Sequence, residues 1–323
     1  MRTALDAPAL PALREHTDAV RLLHGEAGGV PGLVIEQFAD VLIAQIHEGA
    51  LTLTDEQTRR VCEIAMRARG ARAVYRKVFP LDRSDVDAAL HQRHCDPEPW
   101  IGEPAGAEIV VRERGLRFLV RPYDGYATGL YLDHRDTRGE LERVCRGLRV
   151  LNLFAYTCAS SVAAAGGGAA ETTSVDVSRK ALEWGQRNFA LNEQTLGAAQ
   201  PAPSHRFIRS DAIEFFGRAR RQGRVYDMAL LDPPAFGRDK QTGRAFSLQE
   251  NLEPLLAAAV ERLAPGGRLV LTVNLRSLPT PRIRAALLHA AQGRAMRELR
   301  EVDPPPDFAG DPAYRREFRM TLG

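Results

Sequence analysis

Three aspartates, Asp176, Asp211 and Asp232, each follow a short apolar run in the second half of the chain. In open α/β sheets, ligands bind beyond the carboxyl ends of the strands. Carboxylates at successive strand ends can therefore accept hydrogen bonds from one bound molecule. Asp176 lies 22 residues after Phe154, which follows the first of these apolar runs. This spacing suits a carboxylate that binds both ribose hydroxyls of a nucleoside cofactor, although each aspartate could also act only as an N-cap.

The turn after the first apolar run reads Phe-Ala-Tyr-Thr-Cys at 154–158 and contains no glycine. A dinucleotide needs a glycine turn so that its pyrophosphate can approach the N-terminus of the next helix. The glycines at 166–168 come too late, after that helix. S-adenosylmethionine, a nucleoside cofactor without phosphate, fits this turn better. We therefore expect Asp176 to bind its ribose and Asp211 its adenine amino group, and a nicotinamide or flavin oxidoreductase is disfavoured.

The sequence Asp232-Pro233-Pro234, with Phe236 two residues later, follows the fourth apolar run. Two prolines remove two backbone donors and fix a rigid turn. The aspartate carboxylate and the free carbonyl groups can accept hydrogen bonds from a planar amino group or ring N–H, and Phe236 offers a stacking face. This arrangement resembles the target-base loop of nucleic-acid methyltransferases.

The elements that must position these residues begin near Arg149 and alternate between strands and helices. Near-continuous apolar strands separated by helices are typical of a parallel sheet that is covered on both faces. The fold class predicted for 105–323 is therefore α/β: a Rossmann-like, doubly wound, mostly parallel sheet. The strands are predicted in RVLNLF, TTSVDV, HRFIRSD, YDMALLD, GRLVLTVN, MRELREV and REFRMTL.

Residues 1–104 are predicted to form a smaller α+β domain that binds RNA or another substrate. Its expected elements are a hairpin within 30–46, a helix over Thr54–Arg69 with Thr54 as N-cap, and a strand over 73–78. Three prolines within 95–105 indicate a linker. A second hairpin, over 106–122, is expected to begin the larger domain, with Ile109, Val111, Phe118 and Val120 on its apolar face.

Composition narrows the class of protein further. The chain has 323 residues, four cysteines without a Cys-x-x-Cys pair, and no apolar stretch that could span a bilayer. The histidines and cysteines form no metal-ligand pattern; His91, His94 and Cys95 come nearest to one. We expect a cytoplasmic protein without metal. Residues 1–100 carry 12 Lys and Arg and 15 Asp and Glu. Residues 101–323 therefore carry 32 Lys and Arg and 26 Asp and Glu. The resulting net charge of +6 in this part of the chain is compatible with a phosphate-backbone partner.

Four stretches carry a resemblance to a known family: ATGLYLDHR (127–135), LNLFAYTC (151–158), VDVSRKALEWGQRNFALN (175–192) and LLDPPAFGRDK (230–240). They resemble the bacterial 23S ribosomal RNA methyltransferases, which use S-adenosylmethionine. The closer match is the guanine-N7 enzyme that forms the second half of a fused two-activity protein, and the cytosine-C5 enzyme is more distant. The resemblance covers about 105–275 and implies a class I methyltransferase that binds RNA and takes part in ribosomal RNA processing.

The resemblance also implies roles for individual residues. The residues implied at the target base are Asp232, Pro233, Pro234 and Phe236, together with an Asn-x-Arg element that matches Asn274 and Arg276. The residues implied at the cofactor are Thr128, Asp133 and Arg135 at its methionine end, Asn152, Phe154, Ala155, Tyr156 and Thr157 in the first-strand loop, Asp176, Val177 and Ser178 at the ribose, Asp211 and Ala212 at the adenine, and Asp232.

The acceptor atom can be argued from chemistry. Cytosine C5 becomes nucleophilic only after a cysteine thiolate adds to C6, and neither 232–236 nor 271–274 contains a cysteine. Cys158 lies on the cofactor loop and is interpreted as a packing residue. Guanine N7 already has an in-plane lone pair, so alignment is the main requirement. We therefore predict transfer to a base nitrogen, N7 ahead of an exocyclic amine, with Asn274, Arg276 and Lys240 as hydrogen-bond donors to O6 and a flanking phosphate.

Two alternatives stay open at this stage. The chain could bind the cofactor without transferring a methyl group, or it could act on a small molecule or a protein, because Asp-Pro-Pro loops also bind other planar amides. The sequence does not specify the oligomeric state.

Overall fold

The computed structural model describes residues 10–81, 88–196, 204–238, 243, 245–311 and 314–323. The chain forms two compact units, Met1–Asp133 with Pro305–Asp311, and His134–Pro304 with Pro312–Gly323. The boundary predicted between 104 and 105 falls within the first unit, so by compactness the hairpin predicted at 106–122 belongs there.

The first unit is built around a five-stranded sheet with the strands in chain order. The hairpin predicted within 30–46 is confirmed, because two strands pair in an antiparallel arrangement about Ala39, which has φ 51°. The third and fourth strands are parallel and are joined through a helix. The sheet strands are β1 (Ala19–His24), β2 (Leu33–Phe38), β3 (Val41–His47), β4 (Ala73–Phe79) and β5 (Ile101–Gly102), and the helices are α1 (Leu10–Arg14), α2 (Asp55–Arg69) and α3 (Ala88–His94).

Helix α2 starts where the sequence predicts. The Thr54 hydroxyl accepts a hydrogen bond from the Gln57 backbone N–H, and the Gln57 side chain in return accepts one from the Thr54 N–H. This capping box satisfies two N–H groups that the helix leaves without a partner. The helix ends at Gly70, whose φ of 62° suits glycine.

Residues 95–105, predicted as a linker, instead add a short strand to the first sheet. β5 pairs with β4 in an antiparallel arrangement, and the Tyr75 hydroxyl accepts a hydrogen bond from the Ala105 N–H while donating one to the Pro97 carbonyl. The prolines mark turns on either side of a strand too short to show a sequence pattern. The second predicted hairpin is confirmed, with its four predicted apolar residues buried; its strands are β6 (Ile109–Glu113) and β7 (Leu116–Val120).

The second unit contains a seven-stranded, mostly parallel sheet of order β10-β9-β8-β11-β14-β16-β15, in which β16 runs in the direction opposite to the other six strands. The order reverses beside β8, which creates the topological switch point. The predicted Rossmann-like doubly wound fold and its seven strands are confirmed. The sheet strands are β8 (Arg149–Leu153), β9 (Glu171–Asp176), β10 (Ser204–Arg209), β11 (Tyr226–Leu231), β14 (Leu263–Val273), β15 (Met296–Val302) and β16 (Arg316–Leu322), and a separate pair is formed by β12 (Phe236–Arg238) and β13 (Ala245–Ser247).

Helices cover both faces of this sheet at its centre, where β8, β11 and the last residues of β14 are buried, whereas the edge strands β10 and β15 are largely exposed or half-buried. Leu151 and Leu153 face one layer of helices, whereas Asn152 between them faces Ser161 on the other side. The layer packed on the leucines consists of α8 (Ala212–Arg221), α9 (Leu248–Glu261) and α10 (Thr280–Ala290), and the remaining helices are α4 (Arg135–Val144), α5 (Ala159–Gly166), α6 (Arg179–Ala190) and α7 (Glu193–Leu196).

Within the described ranges, no helix combines the length and apolar character that passage through a bilayer requires. The same residues contain no cluster of three or more His, Cys, Asp or Glu side chains suited to a metal ion. Of the three residues nearest to a metal pattern, His94 is buried and its Nε2 accepts a hydrogen bond from the Val78 N–H.

Candidate active site

The parallel register brings several predicted site residues to one end of the sheet in the second unit. Leu153 at the end of β8 pairs with Val175 on one side and with Leu231 on the other. The residues that come next, Asp176 and Asp232, therefore lie on either side of the loop that follows β8. With about 4.8 Å between neighbouring strands, their backbones are about 10 Å apart across this loop.

The loop after β8 has an unusual backbone. Phe154, Tyr156 and Cys158 all have positive φ, of 58°, 47° and 59°. Residues other than glycine adopt this left-handed backbone region at an energetic cost. They do so mainly where surrounding contacts hold them in place, often at functional sites. In this turn every second residue is left-handed, although none of them is glycine. No motif in the sequence predicts this backbone conformation.

Two polar contacts hold this loop in place. The Tyr156 N–H donates to Oδ2 of Asp176 at 2.9 Å, and the Thr157 carbonyl accepts from the Asn188 side-chain amide at 2.9 Å. Beneath the loop, the Asn152 amide donates to the Ser161 hydroxyl at 2.9 Å. Asn152 and Thr157 are buried, so these two predicted cofactor residues support the loop from behind.

Asp176 is the best-supported of the predicted ribose ligands. Its Oδ1 accepts the Ser178 N–H at 2.8 Å while Oδ2 holds the first loop, so both oxygens are fixed in direction. Burial raises the pKa of this carboxyl above its ordinary value, and the backbone N–H groups of Ser178, Tyr156 and Val177 oppose that shift. Ser178 itself caps α6 through its hydroxyl, and the side chain of Val177 is exposed.

Asp211 is the N-cap of α8, one of the two roles that the sequence allowed, and it uses only one carboxylate oxygen for this. Oδ1 accepts the backbone N–H groups of Ile213 and Glu214 at the start of α8. Oδ2 makes no hydrogen bond with any residue in the described part of the chain. One oxygen therefore serves the helix, and the other can accept a hydrogen bond from an amino group. Ala212 beside it is buried.

The Asp232-Pro233-Pro234 loop presents an aromatic ring to solvent. Phe236 is 71% exposed, although it belongs to the β12–β13 pair. Pro233 is buried, which anchors the turn. Next to the exposed ring, Phe246 of β13 meets Phe154 with ring centroids 5.4 Å apart, so the hairpin contacts the loop after β8. An exposed aromatic ring on a rigid turn can stack on a planar group.

A buried polar network behind Asp232 was missed in the sequence. Nε2 of His134, the residue before α4, lies 3.3 Å from Oδ2 of Asp232, and Nδ1 lies 3.4 Å from Nη2 of Arg315. Arg315 also forms an ion pair with Glu317, and both side chains are almost fully buried. His134 lies within the stretch that carries the family resemblance, but Arg315 and Glu317 reach the site only through β16, the last strand.

The remaining predicted site residues lie in four different places relative to the described structure. Asn274 and Arg276 are exposed just beyond β14, and buried Arg316 supports their segment by donating to the carbonyls of Leu275 and Leu278 at 2.7 and 2.6 Å. Arg135 is buried in the first turn of α4. Thr128 is buried and Asp133 partly exposed, and both belong to the first unit. Lys240 lies outside the described residues.

The two cysteines of the second unit are unsuited to act as nucleophiles. Burial raises the pKa of both the Cys145 and the Cys158 thiol to about 12. The thiolate is the reactive form of cysteine, and at neutral pH neither side chain is ionised to a useful extent. Cys158 instead packs against α6, as the sequence interpretation holds.

These strand ends suit an adenosyl group without phosphate. The second oxygen of Asp211 and the fixed carboxylate of Asp176 can accept hydrogen bonds, whereas the carboxylates of Asp176 and Asp232 would repel a pyrophosphate. A positively charged sulfonium is favoured by the same charges.

Comparison with known proteins agrees with this geometry. Residues 75–315 match the family model described as S-adenosylmethionine-dependent methyltransferase. A ribosomal RNA large subunit methyltransferase from Deinococcus radiodurans is 35% identical over 294 residues, which are 90% of this chain and 68% of that protein. The ribosomal RNA large subunit methyltransferase K/L of Methylococcus capsulatus is 36% identical over 79% of this chain, but the match spans only 33% of the relative's length.

A solved structure gives the same picture of the fold. A proposed methyltransferase crystallised with S-adenosylhomocysteine superposes with a TM-score of 0.80 at 26% identity, covering 99% of this chain and 79% of that one. The predicted cofactor, S-adenosylmethionine, is confirmed by these matches.

Proposed function

The chain belongs to the S-adenosylmethionine-dependent methyltransferase family, and we propose that it methylates a base nitrogen of large-subunit ribosomal RNA, with guanine N7 as the favoured acceptor. The observation that carries the proposal is the rigid Asp232-Pro233-Pro234 turn, which holds the exposed ring of Phe236 beside the cofactor-binding strand ends. A flipped-out base needs a stacking face together with hydrogen-bond acceptors at its edge, and this turn offers both.

The choice of ribosomal RNA rests on the relatives. Those from Deinococcus radiodurans and Methylococcus capsulatus are both named as large-subunit ribosomal RNA methyltransferases. The net charge of +6 over 101–323 suits a phosphate backbone. We assign RNA binding outside the catalytic centre to residues 1–104, and a cytoplasmic location follows from the proposed substrate.

The choice of a nitrogen rests on what the second unit lacks. Methylation of cytosine C5 needs a cysteine thiolate at the base, and burial holds Cys145 and Cys158 in the thiol form. Guanine N7 needs no covalent activation, because its lone pair lies in the plane of the ring.

When bound, the cofactor supplies a methyl group on a positively charged sulfur. Transfer to N7 forms the N–CH3 bond as the S–CH3 bond breaks, the bonding electrons stay on sulfur, and the positive charge passes to the purine. No proton has to leave N7, so this chain needs no general base at that atom. The Asp232 carboxylate faces the purine and stabilises the charge that develops there.

The other proposed roles follow from position. Asp176 and Ser178 hold the ribose, Asp211 the adenine amino group, and Tyr156 the methionine side of the loop. Asn274 and Arg276 are proposed to bind O6 and a flanking phosphate, since both are exposed at the end of β14.

The test is methyl transfer from tritiated S-adenosylmethionine to 23S ribosomal RNA prepared from a strain that lacks this gene. Nucleoside mass spectrometry of the product is expected to show 7-methylguanosine. An exocyclic N-methyl nucleoside would retain the enzyme class and change the acceptor, whereas 5-methylcytidine would contradict the argument from the cysteines. Label that enters protein or small molecules, but not RNA, would refute the substrate assignment.

A further inference from the structure

The predicted site is supported by a buried polar network around Arg315, a residue that the sequence did not predict to belong to the site. Arg315 is fixed by three groups: its Nη2 donates to the Thr137 hydroxyl at 2.8 Å, contacts Glu317, and lies 3.5 Å from the Thr272 hydroxyl. Glu317 is held in turn by the Thr137 hydroxyl and by Nε of Arg319. These side chains come from α4, β14 and β16, so three elements determine where the guanidinium lies.

This arrangement favours one of the two neutral tautomers of His134. A guanidinium has only donors, so Nη2 of Arg315 can meet Nδ1 of His134 at 3.4 Å only if Nδ1 is the acceptor. An imidazole that accepts at Nδ1 is neutral and carries its hydrogen on Nε2. That hydrogen lies on the side of Asp232, whose Oδ2 is 3.3 Å away.

We propose that Arg315, buried against Glu317 and Thr137, is a positioning residue that locks His134 as the Nε2–H tautomer, and that His134 thereby orients the Asp232 carboxylate toward the target base. The inference rests on the proposed function, because Asp232 is taken to face that base. Fixing Oδ2 from behind sets the direction of the other oxygen of Asp232, and directed charge is most of what transfer to a ring nitrogen requires.

If His134 is held as the Nε2–H tautomer, two substitutions of this residue are expected to have different effects on kcat. The glutamine amide in His134→Gln can reach the place of Nε2 and donate to Asp232, whereas the asparagine amide in His134→Asn reaches only the place of Nδ1. We expect kcat to fall no more than about threefold in the glutamine variant and roughly 30-fold in the asparagine variant, with the affinity for S-adenosylmethionine unchanged in both. Equal losses in the two variants would overturn the role of Nε2.

Thr137→Val tests whether the buried network affects kcat by way of His134. This substitution removes the hydroxyl between Arg315 and Glu317 but keeps both of their charges. In the wild-type background this change is expected to lower kcat about tenfold. In the His134→Gln background, where no tautomer remains to be locked, it is expected to have less than about a twofold effect. A tenfold loss in both backgrounds would show that Thr137 acts only on the fold and would refute the proposal.

Thr172→Val provides a matched control. Thr172 is also a buried threonine of the second unit, and its hydroxyl contacts the imidazole of His205 at 2.9 Å near the amino ends of β9 and β10, opposite the carboxyl ends where the predicted site lies. Its loss is expected to affect the melting temperature much as Thr137→Val does, but to leave kcat unchanged. Thr137→Ser, which keeps the hydroxyl, is expected to restore the rate.

A readout without RNA keeps this inference separable from the proposed function. In protein labelled with 15N-histidine, the two ring nitrogens of a neutral imidazole have different shifts, and His134→Gln identifies the signals of His134. The full chain saturated with S-adenosylhomocysteine is expected to show His134 as the Nε2–H tautomer, and Thr137→Val is expected to produce a mixture. A Nδ1–H or doubly protonated ring at neutral pH would overturn the proposal, whatever RNA the enzyme methylates.

Discussion

Gly185 of α6 lies so close to Cys158 that a Cβ atom added to the glycine would stand 2.4 Å from Sγ and 2.9 Å from Cβ of the cysteine. A Cβ atom essentially never comes within 3.0 Å of a non-bonded heavy atom, so the helix can approach the loop only because position 185 has no side chain. This contact brings the start of α6, with Ser178 and Asp176, up to the loop that begins at Phe154. The geometry of the predicted adenosyl site therefore depends on a glycine that is not among the predicted cofactor ligands.

We expect Gly185→Ala to lower the free energy of unfolding by about 1–3 kcal/mol and to weaken S-adenosylmethionine binding, because the added methyl pushes the loop outward. Adding Cys158→Gly is expected to restore most of both losses, since it removes Sγ and Cβ and suits the φ of 59° at that position. Cys158→Ala is expected to restore less, because its Cβ remains. Urea unfolding and calorimetry measure the two quantities; equal rescue by alanine and glycine would contradict the geometry.

Asp176→Ala is expected to weaken S-adenosylmethionine binding at least about 100-fold, because two hydroxyl hydrogen bonds to a charged acceptor are lost together with the anchor of Tyr156. Calorimetry of the purified chain gives the dissociation constant. Glu183→Gln is the control, since Glu183 is an exposed carboxylate of α6, the helix that follows Asp176 in the chain, and it pairs only with Arg179 among the described residues. Undiminished binding in the aspartate variant would remove Asp176 from the site.

The two functions of Asp211 can be separated by substitution. Asp211→Ser keeps an N-cap hydroxyl but loses the oxygen assigned to adenine, so stability is expected to change by less than about 0.5 kcal/mol while cofactor affinity falls roughly tenfold. Asp211→Ala loses both groups and is expected to cost about 1 kcal/mol of stability as well. If the serine variant binds the cofactor as tightly as the wild type, Asp211 is a cap and nothing more.

Phe236→Ala is expected to raise the KM for RNA about tenfold or more, since stacking on an aromatic ring contributes about 1–3 kcal/mol per base. Phe236→Trp is expected to retain the wild-type KM, and the affinity for S-adenosylmethionine is expected to stay the same in both variants. Leu288→Ala serves as control, because Leu288 is another exposed apolar side chain of the second unit, 49% exposed on α10. A KM that does not respond to Phe236→Ala would leave the target-base assignment of this loop without support.

Much of this site is visible in the sequence because its signals are local. Asp176, Asp211 and Asp232 stand at or just beyond the ends of three strands, β9, β10 and β11, which the sequence predicts from short local segments. The parallel topology that aligns the ends of these strands follows from their alternation with helices. Thr54 at the start of α2 was predicted for the same reason, since a capping box is read within four residues.

The parts that escaped prediction depend on residues far apart in the chain. Arg315 meets His134 across 181 positions, and nothing at either residue signals the other. The left-handed backbone at Tyr156 is held by hydrogen bonds from this loop to Asp176 and Asn188, and not by a glycine that a motif could show. Asn152 illustrates the reverse case: its position in a motif marks it as important, but only the structure shows that it is buried and that its side-chain amide donates to Ser161.

The last prediction concerns the stability of the first unit at low pH. Burial, with the charges of Lys77, His91 and Arg93, lowers the pKa of His94 to about 4. Because the unfolded chain takes up the proton near the ordinary value of about 6.5, the folded state binds fewer protons between these values, and stability is lost as the pH falls from 6.5 to 4. The loss is at most about 3 kcal/mol.

His94→Gln keeps an acceptor for the Val78 N–H but does not titrate. The unfolding free energy of this variant is therefore expected to fall less between pH 6.5 and 4 than that of the wild type. Above pH 8, the two curves of unfolding free energy against pH are expected to run parallel. Urea unfolding at several pH values makes the comparison, and curves that also run parallel between pH 4 and 6.5 would show that His94 takes up its proton in the folded state as readily as in the unfolded chain.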